Sequence, residues 1–159
     1  MLSRLVLQPV DVGIPRYDVG PITALGEPGG PPGGIYDAGG WEALYKLSGA
    51  PARTPVLLVD SRARAFATSA AARNSFDAQR KALNTGAAAH VTAVPLGDGG
   101  AASSQVQQAT SPVRYWTFVW RDDTVASSLV VAGAANQLSF SRALRLARLQ
   151  ERRIRNVLR

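Results

Sequence analysis

A chain of 159 residues has the length of one ordinary domain, and its hydrophobic fraction of 46% argues against disorder. No run of about 18 apolar residues occurs, which excludes a membrane-spanning helix, and the absence of cysteine excludes disulfides and thiol catalysis. The net charge of +7 is local: residues 139–159 hold seven arginines against Glu151, leaving 11 basic and 10 acidic groups in residues 1–138.

The opening "MLSRLVLQPV" is too short, and broken too early by Pro9, to read as a complete signal peptide. It suits a helical turn or short strand ending at Pro9. From Pro9 to Gly40 the chain carries six of its ten prolines and most of its glycines. That density leaves room for little beyond a short strand near Arg16–Val19, so 9–40 reads as one long Gly/Pro-rich loop. "GGWEALYKLSG" fits either a short helix or a bent strand.

"TPVLLVDSRARAFA" reads as a long strand. Leu57, Val59, Ser61, Ala63 and Ala65 share one face, while Asp60, Arg62 and Arg64 point to a wet one. "TSAAARNSFDAQRKALNTG" reads as a helix capped by Thr68 or Ser69 and stopped at Gly86. Its narrow buried stripe runs through Ala72, Phe76, Gln79 or Arg80, and Leu83. "AAHVTAVPLGDGG" is a strand entering a tight turn at Gly97–Gly100, and "SSQVQQAT" a further, more polar strand.

"VRYWTFVWRDDTVASSLVVAG" is a β-hairpin turning at "RDD", with Trp116, Phe118 and Trp120 opposite Tyr115, Thr117 and Val119. The closing helix begins at Ser139 or Ser141. Phe140, Ala143, Leu144, Ala147, Ile154, Val157 and Leu158 fall in one arc of its wheel, and the arginines occupy the opposite one. Together these elements predict an α+β fold, an antiparallel sheet of about four to six strands with helices on one face, as a single domain over 1–159.

Chemistry is harder to find. GxSxG, GxxxxGK[ST] and HExxH patterns do not occur. The prolines of "GEPGGPPGG" remove amide donors that a phosphate cradle would need. His90, the one histidine, reads as a half-buried strand residue without neighbouring ligands. The aspartates of "GDGG" and "RDD" read as turn formers. No catalysis, cofactor or metal is expected. Buried beneath helices, the Trp116–Phe118–Trp120 face is core; left open, it is a pocket wall or partner surface.

The elements "LVLQPVDVG", "AFATSAAARNSF", "VPLGDGGAAS", the hairpin and "RALRLARLQERRI" resemble, in loose motifs over residues 1–12 and 55–158, a type of exported bacterial α+β domain. Related architectures include the PsbP-like fold. The resemblance implies an extracytoplasmic setting, attached to a membrane only by an anchor outside this sequence, and a role in binding rather than catalysis; the alternative setting is the cytoplasm. The function expected first is therefore non-catalytic recognition of a small apolar ligand or protein partner. Its candidate surface is Tyr36, Trp41, Tyr45, Trp116, Phe118 and Trp120, beside loop 9–40. The alternatives are a subunit of a larger assembly, and binding of an anionic polymer or lipid headgroups through Arg145, Arg148, Arg152 and Arg155. A lone arginine stripe without interleaved aromatics ranks nucleic acid low.

Overall fold

The computed structural model describes residues 2–13, 17–19, 23–24, 37–47, 55–85 and 90–159. The chain begins with a 3-10 turn, Leu2–Leu5, followed by a buried extended segment and the single helical turn α1, Pro9–Val12. Pro9 thus starts a helix instead of ending one, as its missing amide allows at a first-turn position. Two short strands follow, β1 (Tyr17–Val19) and β2 (Thr23–Ala24), then β3 (Asp37–Leu47) and β4 (Leu58–Phe66). After α2 (Ser69–Leu83) come β5 (Thr92–Val94), β6 (Gly99–Gln107), β7 (Val113–Asp122) and β8 (Val125–Ala134). The closing helix is α3, Phe140–Leu158.

All pairings are antiparallel, and the strand order is β1-β3-β4-β8-β7-β6-β5 with β2 also on β3. The expected α+β class and antiparallel sheet hold: β3-β4-β8-β7-β6-β5 form a six-strand body, extended at the β3 edge by β1 and β2. The Gly/Pro-rich stretch 9–40 holds the short strand expected near Arg16–Val19, as β1, and further elements that were not expected. It begins with α1, contains β1 and β2, and its last residues open β3; 14–16, 20–22 and 25–36 lie outside the described residues. Of "GGWEALYKLSG", the described part, "GGWEALYKL", is strand because β4 pairs with it from Lys46 to Gly39, with a register shift between Asp37 and Gly39.

Helix placement also departs from expectation. The two long helices lie on opposite faces of the sheet. One face carries Tyr45, Val59, Ala63, Phe118, Trp120, Leu129 and Val131, which pack in the main core with Ala143, Leu144, Ala147 and Ile154 of α3. The other carries Val119 and Ala101, on which Phe76 of α2 packs. Strand alternation decides this, because the hairpin has apolar residues on both faces and each needs cover.

Two glycines mark close approaches. A Cβ on Gly133 would lie 1.8 Å from the Pro55 carbonyl oxygen. Gly97, at φ +55°, turns the chain between β5 and β6, where a Cβ would meet the Arg121 carbonyl oxygen at 2.1 Å. In the β7–β8 turn Asp123 takes φ 46°, a conformation that Asp tolerates better than most side chains. Its amide donates to Asp98 Oδ2 at 2.8 Å, and Ser69 donates to its carboxylate.

Candidate functional site

The α2 face of the sheet is only partly covered. In α2 the buried residues are Ala71, Ala72 and Phe76, so the helix meets the sheet along a narrow line. Between that line and β4 lies a cavity of about 620 Å³. Its floor is Thr117 and Val119 of β7 with Ala126, Ser128 and Val130 of β8, and its wall is Ser75, Ala78, Gln79, Ala82 and Leu83 of α2. Asp60, Arg62 and Arg64 of β4 close the third side, as the alternation in "VDSRARAF" predicts.

The charges on this rim largely satisfy one another. Arg62 reaches Glu42 at 2.7 Å and Asp60 at 2.8 Å. Burial pushes the Asp60 carboxyl above its ordinary pKa; the Arg62 hydrogen bond and charge oppose the rise without cancelling it, and Glu42 adds to it. Gln79 donates from Nε2 to Ser75 Oγ at 3.3 Å, while its Oε1 is buried with no donor among the described residues. Val119, Ala126 and Val130 give the floor an apolar part beside the hydroxyls of Thr117 and Ser128, and on the rim Arg62 is neutralised by Asp60 and Glu42. An ion would lose hydration there without a free counter-charge among these groups. The helical stripe had placed Gln79 or Arg80 on the sheet side, and the structure selects Gln79.

The aromatic candidates lie elsewhere. Tyr45, Phe118 and Trp120 are fully buried on the α3 face, so they are core and offer no surface to a ligand. Trp41 and Trp116 are partly buried against that core. Trp116 meets Phe140 edge-on at 5.0 Å and lies under Arg114 at 5.8 Å. Tyr36 lies outside the described residues. The physical reason is α3 itself, whose apolar arc lies over these rings.

Among the arginine candidates, Arg145, Arg148 and Arg152 are exposed and make no ion pair among the described residues. Arg155 differs, pairing with Glu151 at 2.8 Å and Asp122 at 3.2 Å. Asp122, expected in the turn, is the buried last residue of β7 and accepts from Trp120 Nε1 at 3.1 Å. His90 is exposed just ahead of β5 instead of half-buried within it.

Sequence reasoning did not identify the polar centre of the core. Ser61 Oγ accepts from the Leu7 amide at 2.9 Å and donates to Gln150 Oε1 at 2.8 Å. Gln150 Nε2 in turn donates to the Arg62 carbonyl at 2.9 Å. Its position inside the apolar arc of α3 was the available signal. Among the described residues no group of three or more His, Asp or Glu side chains is placed to hold a metal ion. No helix among them is long and apolar enough to cross a membrane.

No protein-family model matches the chain, and no curated protein matches it. Among solved structures, it is similar to the extracellular domain of PknH from Mycobacterium tuberculosis, with 13% identity, a TM-score of 0.64, and coverage of 98% of this chain and 95% of that one. That likeness shows the fold. It does not show the PsbP-like part of the resemblance.

Proposed function

We propose that this chain is a non-catalytic recognition domain working outside the cytoplasm, which takes a small, uncharged, largely apolar ligand into the cavity between α2 and β4. The observation that carries the reading is the 620 Å³ cavity itself, whose floor holds Val119, Ala126 and Val130 and whose rim arginine, Arg62, is paired with Asp60 and Glu42. An uncharged apolar body gains from such a floor at no cost of ion hydration. Support for the setting comes from the fold shared with a domain described as extracellular.

The test uses Nile red, an uncharged apolar dye. Binding with a blue-shifted emission is expected for the wild-type chain. Ala82→Trp, which places an indole against the cavity, is expected to weaken it at least about tenfold, the cost of excluding an apolar group of moderate size. Equal dye affinity in both proteins, or none in the wild type, overturns this assignment.

A further inference from the structure

The outer face of α3 carries a line of charge that the fold does not use. Arg142, Arg145, Arg148 and Arg152 are exposed and have no acidic partner among the described residues. Acids near this helix are already engaged: Asp11 by Arg153, Asp122 by Arg155, and Glu151 by Arg155 and the Gly97 amide. From Arg142 to Arg152 the line runs about 15 Å along the helix, on the side away from Ala143, Ala147 and Ile154. The rest of the molecule is nearly balanced in charge, which makes the line a directional feature of one face.

Aliphatic groups adjoin it. A cavity of about 620 Å³ lies beside the helix; Val12, Leu146 and Leu149 give it aliphatic groups, beside polar ones from Asp11, Ser139 and Ser141. Val10 of α1, the turn held to α3 through Asp11 and Arg153, is 80% exposed. A polynucleotide backbone would gain little from these aliphatic groups. A bilayer presents phosphates and, just beneath them, apolar matter, and so uses both.

From this charge complementarity we infer that the outer face of α3 docks on the surface of an anionic phospholipid bilayer, with phosphates against Arg142, Arg145, Arg148 and Arg152. This inference does not depend on the α2 cavity. Each arginine near an anionic lipid surface contributes about fivefold in affinity, so three together contribute on the order of a hundredfold.

The experiment is co-sedimentation of the full chain with phosphatidylcholine vesicles, with and without phosphatidylglycerol. Binding is expected only to the phosphatidylglycerol vesicles, and it weakens as salt is raised. Arg145→Gln with Arg148→Gln and Arg152→Gln is expected to lower it on the order of a hundredfold. The control triple Arg73→Gln, Arg80→Gln and Lys81→Gln removes the same charge from exposed positions of α2 and is expected to change binding by less than about fivefold, the effect of one basic residue. Circular dichroism verifies that both triples fold. The inference is overturned if anionic vesicles do not bind, if neutral ones bind equally, or if both triples lose affinity alike. Tighter retention by duplex DNA than by vesicles at equal salt overturns it in favour of a polynucleotide partner.

Discussion

Asp122 is held by partners of unequal exposure, and this asymmetry sets how its charge behaves. Its side chain is 5% exposed, whereas that of Arg155 is 51% exposed. Burial raises the carboxyl above its ordinary pKa, more than the hydrogen bonds from Arg155 and Trp120 lower it, and Glu151 adds to the rise. Arg155, standing in water, only gains from its acidic neighbours. A carboxyl that binds its proton more tightly in the folded chain stabilises the fold below the ordinary carboxylate pKa. That contribution is lost as pH rises through the raised folded value. Asp122→Asn removes the titration and gives up an ion pair of small worth on its solvent side. Thermal melts from acid to neutral pH should therefore fall less steeply in the variant than in the wild type. Asp60, raised in the same direction, remains in both proteins, so the difference between the curves isolates Asp122. A variant that loses stability only at neutral pH would show the ionised pair to be favourable.

At the scale of elements, α3 is fixed by the middle of its apolar arc and not by its ends. Ile154 is fully buried, while Leu158 is 42% exposed although both belong to the arc. Ile154→Ala should cost about 2–5 kcal/mol, and Leu158→Ala no more than about 1 kcal/mol, in urea unfolding. Similar losses at both positions would mean that the helix is not seated as described. Elements legible in the sequence were those whose signal is local. The α3 wheel, Thr68 as the cap of α2, and the alternation of β4 and of the hairpin needed nothing from distant residues. What remained hidden depends on partners far along the chain. "GGWEALYKL" is a strand because β4 supplies its hydrogen bonds, and Gly/Pro-rich sequence concealed β2, which pairs only with β3, whereas β1 was legible as the short strand near Arg16–Val19. The α2 cavity was legible in half: alternation placed Asp60, Arg62 and Arg64 on a wet face, but nothing local said which helix would stand beside them.

Across the whole molecule, the opening segment contributes three residues to the core. Leu5, Val6 and Leu7 are fully buried against it. Leu7 lies outside the strand ladder, yet both of its backbone polar groups are met by side chains: its amide donates to Ser61 of β4, and its carbonyl accepts from Tyr45 of β3 at 2.7 Å. The Tyr45 hydroxyl is pushed up to about 12 by burial, with Asp11 adding to the rise and Arg153 opposing it. Asp11 and Arg153 then tie α1 to α3, so the segment joins the sheet to the helix that covers it. Burial of the three aliphatic side chains contributes about 1.5–3 kcal/mol each, a sum comparable with the roughly 5–15 kcal/mol that holds an ordinary domain folded. Removing the segment also leaves Ser61 and Tyr45 without these partners in the interior. A chain lacking residues 1–12 should therefore lose its sigmoidal urea transition and its near-ultraviolet circular dichroism. Cooperative unfolding within about 1 kcal/mol of the full chain would instead make the segment an appendage, because loss of even one such side chain exceeds that margin.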